Sequence, residues 1–321
     1  MALLKNIDPE LYYSNSKQPK ELAIKTRANS HTSTLFHYTK TANTLLSILQ
    51  EGFRFSYCFE EYFLLKQENI GVPMISFCDI PINDSLEHSK KYGCYAVGLT
   101  KDALFECEEI LRRISPVHYY ISSDSIKPVF QELENIQRMQ KELASDRFSP
   151  VVKEQIKAME TGDYTRIDGI PNEIVQEGTK YKMHIQQNLI ATCIAIGLLK
   201  PYISYNSKLK KHQRNYDECE WRIIEPEVWD MDEGTKFSWL WSVQEYETWR
   251  GKGVKPFISD AGITFTVDCI SYIIVKTEKE IPSFIKRLGK LKTLCGEDLT
   301  QEQKNMLFSK VISFERIKKD F

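Results

Sequence analysis

The run from Leu35 to Phe53 constrains the fold of this chain more than any other stretch. Its first four residues are aromatic or aliphatic apart from one histidine, which is typical of a short buried strand. Thr39 or Thr41 then offers a side-chain oxygen that can cap a helix. The helix has an apolar face, and Gly52 is expected to end it. Polar side chains therefore lie where a strand passes into a helix, a place that often faces a cleft.

His37 is the polar residue within this strand. The pattern alone leaves two interpretations open. His37 is either a hydrogen-bonded histidine of the core, with Thr39 serving only as a cap, or it belongs to a binding site.

Charge and cysteine content exclude several classes of protein. The 321 residues include 43 basic and 44 acidic ones, so no overall field attracts nucleic acid or an anionic membrane. The eight cysteines contain no Cys-x-x-Cys pair, which indicates reduced thiols rather than a zinc site or a disulfide framework. No apolar run approaches about 18 residues, and the N-terminus lacks the apolar core of a signal peptide. We therefore expect a cytoplasmic protein without membrane association and without a metal site.

Strands and helices are mixed without regular βα alternation, which predicts an α+β fold. We expect an N-terminal arm over residues 1–34 and a single domain over residues 35–321. A charged segment with helical periodicity, at about residues 125–161, predicts a helical insertion in that domain. The aromatic residues 58–66 are expected to form a short helix or a loop over a cleft, and the basic run 208–214 to be exposed.

A second group of polar residues lies near position 220. In a strand, residues two apart share a face, so Glu218, Glu220 and Arg222 would project together. They form either the floor of a polar cleft or a solvated face on which Arg222 is an ordinary salt-bridge partner. A third stretch, from Ser76 to Tyr92, adds further polar groups at strand ends.

Three runs carry a resemblance to known proteins: LFHYTKTANTLLSILQEGFRFSYC (35–58), VPMISFCDIPINDSLEHSKKYGCYAVGLTKDAL (72–104) and YDECEWRII (216–224). In their order and residue pattern they resemble the AbiGi family of bacterial abortive-infection proteins, which are described as antitoxins. The same frame resembles the wider ADP-ribosyltransferase fold, in which a split β-sheet core forms one NAD cleft. The resemblance thus implies an anti-phage, toxin–antitoxin role and NAD as co-substrate.

Two narrower similarities concern the site. The opening of the DarT-type toxins, which modify thymidine, has a spacing matched here by His37, Thr39, Asn43, Ile48, Leu49 and Gly52. The late Glu-x-Glu resembles the motif of arginine-directed transferases, in which the second glutamate is catalytic. Those enzymes begin with an arginine strand, whereas this chain has a histidine, so the acceptor stays open.

The resemblance implies a role for each candidate residue. Glu220 would stabilise the oxocarbenium-like state formed when the nicotinamide–ribose bond breaks, and Glu218 would orient the acceptor. The implied NAD-binding residues are His37, Tyr38, Thr39, Ser76, Phe77 and Tyr92. We expect His37, Thr39, Ser76 and Glu220 to line one cleft between two small sheets.

The expected function is therefore an anti-phage protein that transfers ADP-ribose from NAD to a macromolecule, either a protein or a nucleic acid. The alternative is a protein with the same fold but no catalytic activity, because a fold alone does not establish activity. In that case the protein is a non-catalytic antitoxin that binds a cognate toxin or another protein. A nucleic-acid binder acting through residues 208–214 is disfavoured by the neutral composition.

Overall fold

Strands and helices follow one another irregularly along the chain, so the predicted α+β class is confirmed. The computed structural model describes residues 32–61, 69–111, 113–143, 188, 191–206, 211–225 and 257–320. The strands are β1 (Thr34–Thr39), β2 (Phe53–Glu61), β3 (Asn69–Cys78), β4 (Tyr95–Thr100), β5 (Ile114–Pro116), β6 (His118–Tyr120), β7 (Leu199–Pro201), β8 (Ile203–Asn206), β9 (Lys211–Arg214), β10 (Glu220–Ile224), β11 (Phe257–Ile263), β12 (Ile270–Val275), β13 (Thr293–Leu294), β14 (Glu297–Asp298) and β15 (Val311–Ser313). The helices are α1 (Ala42–Glu51), α2 (Leu86–Tyr92), α3 (Lys101–Glu106), α4 (Glu108–Leu111), α5 (Lys127–Leu143), α6 (Ile281–Leu288), α7 (Gln301–Ser309) and α8 (Phe314–Asp320), and residues 191–197 are also helical.

The opening run folds as its pattern predicts, into β1 followed by α1. Thr41, rather than Thr39, caps the helix, because its side-chain oxygen accepts a hydrogen bond from the Thr44 backbone N–H at 3.1 Å. Gly52 ends α1 with a φ of 83°, and a Cβ there would lie 2.7 Å from the carbonyl oxygen of Ile263. The end of α1 is thereby packed closely against the end of β11.

Nine strands form one sheet, in the order β11-β2-β3-β1-β4-β12-β15, with β10 paired to β3 and β5 paired to β10. The sheet is covered on both faces, because successive residues of its central strands enter different apolar clusters. Leu35 and Val97 pack in one cluster, whereas their neighbours Phe36 and Ala96 pack in the other. The described residues thus contain one large sheet and three two-stranded pairs. The expected cleft between two small sheets is wrong in this respect.

The sheet divides at β3. Met74 pairs with Ser56 of β2 and with Ile224 of β10, so these two strands lie on opposite edges of β3. Cys78 pairs with Phe36 of β1 and also with β10, so β1 lies on the same edge as β2. The strands β1 and β2 therefore share one edge of β3 and part from each other between Met74 and Cys78. The finer ADP-ribosyltransferase-like topology stays a prediction.

Two local predictions are wrong in part. Residues 58–61 belong to β2 rather than to a helix or loop, because Ser56, Cys58 and Glu60 alternate on one face of a strand. Residues 62–66 lie outside the described residues. Within the basic run, residues 211–214 form β9, and Arg214 is buried beside Asp217 at 2.6 Å rather than exposed.

The predicted insertion is described up to the end of α5, and residues 144–161 lie outside the described residues. Phe130 and Leu133 of this helix pack with Ile196 and Ile224, which joins α5 to the main sheet. The boundaries of the arm and the domain stay predictions, since residues 1–31 also lie outside the described residues. In the part of the chain that is described, no helix is long and apolar enough to cross a membrane. All eight cysteines are free thiols.

Gly93 provides a test of how α2 packs against the end of β1. It ends α2 with a φ of +113°, and a Cβ would lie 2.2 Å from the carbonyl oxygen of Thr39. We expect Gly93→Ala to lower the free energy of unfolding by roughly 3 kcal/mol or more, from strain and overlap together. Gly296 is the matched control, because it has a φ of +89° but no atom within 4 Å of a Cβ. Gly296→Ala should cost only about 1 kcal/mol, and equal losses in urea unfolding would contradict this packing.

Candidate ligand-binding cavity

A cavity of about 690 Å³ opens where β1 and β2 part, and its walls come from β1, α1, β2, β3, α2 and the segment 200–220. This volume is typical of small-molecule sites. Seven of the predicted site residues line it: His37, Tyr38, Ser76, Phe77, Tyr92, Glu218 and Glu220. Thr39 is buried and is not among the described residues that line the cavity. The prediction that Thr39 lines the cleft with His37, Ser76 and Glu220 is therefore wrong for Thr39.

The His37 side chain, on β1, is hydrogen-bonded to the neighbouring strand β3. Its Nδ1 donates a hydrogen bond to the backbone carbonyl oxygen of Ser76 at 2.8 Å, because a carbonyl oxygen can only accept. Burial lowers the pKa of His37, and the bond to Ser76 opposes this shift without reversing it. The ring is therefore neutral near pH 7, with its proton on Nδ1. Among the described residues Nε2 has no hydrogen-bond partner, so it remains an acceptor in the cavity wall.

Aromatic rings build two further parts of the wall. On one face, the centroid of the His37 ring lies 5.1 Å from that of Phe53, and the Phe53 and Phe77 centroids lie 5.2 Å apart. On the other, the Tyr38 ring contacts His88 at 5.0 Å. Burial lowers the pKa of His88 to about 4, and Glu218 opposes this shift. The cavity wall thus contains flat aromatic rings next to polar groups. Such a wall suits a ligand that carries an aromatic ring.

Arg222 is the most deeply buried polar side chain of the site, with 0% of its side chain exposed. Its Nε donates to Glu220 Oε1 at 2.7 Å, and its Nη2 donates to Glu60 Oε1 at 2.7 Å and to Glu220 Oε2 at 3.2 Å. The Nη1 group donates to the carbonyl oxygen of Gly197 at 2.6 Å. The solvated-face interpretation of Arg222 is therefore wrong, and the polar-cleft interpretation agrees with this geometry.

Lys200 joins the two candidate catalytic glutamates. Its Nζ lies 2.7 Å from Glu218 Oε2 and 2.6 Å from Glu220 Oε2. Burial alone would lower the pKa of Lys200, but Glu220, Glu60 and Glu218 raise it well above its usual value. Burial alone would raise the pKa of Glu220, but Arg222 and Lys200 hold it well below its usual range. Both glutamates and Lys200 are thus charged at neutral pH.

Glu218 reaches the cavity by a route that differs from the predicted one. It ends a 3₁₀ turn (Asn215–Glu218), and Cys219 has a φ of 41°, so the strand begins only at Glu220. The prediction that three charges share one face of a strand is therefore wrong for Glu218, since a left-handed residue breaks the alternation. Its carboxylate nevertheless enters the same network, where Oε1 accepts from Lys91 Nζ at 2.5 Å and from Tyr92 OH at 3.2 Å. Burial opposes ionisation, but Lys200 and Lys91 lower the pKa of Glu218.

Sequence reasoning gave no role to many of the residues that line the cavity, among them Glu60, Lys91 and Lys200. Two of them had a signal in the sequence. Lys200 is a charge directly after an apolar stretch of the sequence, and Glu60 stands two residues after Cys58 on an alternating strand. Neither signal could identify the partners, which lie 18 and 20 residues from Lys200 and 162 residues from Glu60.

Lys200 provides a test of the ion network. Replacing it with Met removes the cation that lies between two buried carboxylates, which leaves, among the described residues, only Lys91 on Glu218 and Arg222 on Glu220. We expect Lys200→Met to lower the free energy of unfolding by about 3–5 kcal/mol. The control is Lys90→Met, which removes an exposed pair with Glu87 and should cost less than about 1 kcal/mol. A loss below about 1 kcal/mol for Lys200→Met in urea unfolding would show that the network is solvated.

Comparison with known proteins adds a family to this geometry. The family model described as "Putative abortive phage resistance protein AbiGi, antitoxin" matches residues 51–246. A relative named "Abortive phage resistance protein AbiGi", from Lactococcus lactis subsp. cremoris, is 25% identical over 287 residues, covering 81% of this chain and 95% of the relative. No solved structure matches the chain. Because the family model covers more than half of the sequence, the chain belongs to the AbiGi family.

Proposed function

We propose that this protein acts in abortive phage resistance and that its cavity binds NAD as an ADP-ribosyltransferase does. The names of the matched family and of the Lactococcus relative support the first part. One observation carries the second part. His37 and Glu220 are far apart in sequence and lie on strands at opposite edges of β3, yet they line the same cavity.

The walls offer groups suited to the parts of NAD. His37 Nε2 can accept a hydrogen bond from a ribose hydroxyl, since its other nitrogen is committed to Ser76. Phe77 or Tyr38 can stack on the nicotinamide ring, and Tyr92 lies in the same wall. Thr39 has no part in this proposal because it does not line the cavity.

Glu220 would supply negative charge to the oxocarbenium-like state that forms when the nicotinamide–ribose bond breaks. Its Oε2 is now shared by Lys200 and Arg222. A ribose hydroxyl can take the place of Lys200 there, because Lys200 would keep its bond to Glu218. Glu218 would then stand beside the acceptor, a protein or a nucleic acid, and help to orient it.

NAD binding can be tested by thermal unfolding. Millimolar NAD should raise the melting temperature of the wild type, because a ligand that binds only the native state stabilises it. His37→Ala should abolish this shift, measured against its own unliganded melting temperature, and His37→Gln should be used if the alanine variant does not fold. The control is His118→Ala, at an exposed histidine of β6, which should keep the full shift. A wild type that shows no shift would contradict NAD binding.

A second candidate function is a non-catalytic antitoxin that binds a protein partner such as a cognate toxin. The observation in its favour is that each oxygen of Glu218 and Glu220 already accepts a hydrogen bond from a cation. A carboxylate neutralised in this way stabilises a developing positive charge less than a free one does. The family description as an antitoxin also supports this candidate.

Glu220→Gln separates the two candidates, because it preserves shape and removes the negative charge. If the protein is a transferase, this substitution should lower the rate of transfer by about 10²–10³. The biological effect, measured as bacterial growth and phage plating, should then be lost. Glu225→Gln is the control for folding, since Glu225 is equally buried and pairs with Arg113 away from the cavity. Charge reversal at the exposed α5 residues Glu132 and Arg138 tests the partner surface. Full function in Glu220→Gln, with loss in the α5 variants, would exclude catalysis.

A further inference from the structure

We infer that Glu60 is a ligand-contacting residue of the cavity, and that its free carboxylate oxygen binds an uncharged hydroxyl or amide N–H of the ligand. This inference rests on the proposed function, because it concerns the same cavity. It goes further because it names a residue outside the predicted set and the chemistry of the ligand group that this residue takes.

The position of Glu60 follows from the geometry of β2. Ser56, Cys58 and Glu60 are two residues apart, so their side chains share one face of the strand, and all three line the cavity. The Glu60 side chain keeps 12% of its exposure, which places it in the wall rather than in the solvent or the core. The partner strand β3 presents Met74 and Ser76 to the same cavity.

The oxygens of the three glutamates in the network are not equally occupied. Glu218 Oε1 accepts from Lys91, Tyr92 and Gln213, and its Oε2 accepts from Lys200. Glu220 Oε1 accepts from Arg222, and its Oε2 accepts from Lys200 and Arg222. Glu60 Oε1 accepts from Arg222, whereas its Oε2 has no hydrogen-bond partner among the described residues. Glu60 is therefore the carboxylate of the network with an acceptor to spare.

Arg222 fixes the direction of this acceptor. The same guanidinium is bound to Glu220 and to the carbonyl oxygen of Gly197, so it cannot turn without breaking buried bonds. Glu60 is thus held at 2.7 Å by a rigid partner, and its conformational entropy is already reduced before a ligand arrives. A preorganised carboxylate oxygen in a cavity wall can accept a hydrogen bond from a ligand with little further loss of conformational entropy.

The chemistry of the ligand group follows from the unpaired acceptors in the cavity wall. Glu60 Oε2 and His37 Nε2 are both acceptors, so the matching ligand surface carries donors. The pyrophosphate of NAD carries no proton at neutral pH, so it cannot donate a hydrogen bond to either acceptor. The hydroxyls of a ribose and the N–H group of a carboxamide both fit.

The substitution Glu60→Gln tests this directly. The amide can keep an oxygen on Arg222, and it then places an N–H donor where the free Oε2 stood. We expect the Kd for NAD, and for the uncharged nucleoside adenosine, to rise by about tenfold or more in calorimetric titration. Glu87→Gln is the control, at an exposed glutamate on α2 with 67% of its side chain exposed, and it should leave both Kd values unchanged. If Glu60→Gln does not fold by urea unfolding, Glu60→Asp withdraws the acceptor while keeping the charge, and it should show the same loss.

The outcomes separate this inference from the proposed function. NAD that binds the wild type and Glu60→Gln equally well would overturn the role of Glu60 and leave NAD binding intact. Adenosine binding that depends on Glu60, in a protein that does not bind NAD, would support this role and overturn the NAD proposal. A wild type that binds neither compound would overturn both.

Discussion

The buried guanidinium of Arg222 is the interaction on which the rest of the site depends. Removing such a group from water costs several kcal/mol, so it requires full pairing. Arg222 obtains this pairing from Glu220 of β10, from Glu60 of β2 and from the carbonyl oxygen of Gly197, the last residue of the helical segment 191–197. Three elements that are distant in sequence are thereby held at one point. The cluster also balances its charges, with the cations Lys91, Lys200 and Arg222 facing the anions Glu60, Glu218 and Glu220.

Stability alone does not explain such a network. A buried ion pair is often no more stabilising than apolar residues of the same volume, because the desolvation cost offsets the attraction. The sheet already has apolar clusters on both faces, to which Leu35 and Phe36 belong. The network instead lines a cavity, where fixed charged groups of known direction can select a ligand. This placement favours a role in recognition over a role in stability.

Local patterns made much of the site predictable, but not its connections. The strand–helix junction with His37 and the two-residue spacing of Glu220 and Arg222 are local, and both led to residues that border the cavity or its floor. The position of Glu218 on the strand was mispredicted, because Cys219 has a left-handed backbone conformation and the strand begins only after it. An alternation of apolar residues does not reveal such a conformation. Its partner Lys91 is 127 residues away. Whether a charge is solvated or buried depends on such distant partners, so single-sequence reasoning left Arg222 undecided.

The two candidate functions differ in the behaviour of Lys200. While its ammonium group bridges Glu218 and Glu220, the cavity floor has no net charge with which to stabilise a cationic transition state. A ligand hydroxyl that takes its place at Glu220 would leave Lys200 on Glu218 alone, and Glu220 would then carry an oxygen directed at the ligand. Arg222 would still hold the other oxygen, so the carboxylate would stay oriented while it gains access. Transfer of ADP-ribose would require this bridge to open, whereas binding of a protein partner would not. The same buried network is therefore compatible with either function, and displacement of Lys200 from Glu220 is the step that would distinguish them.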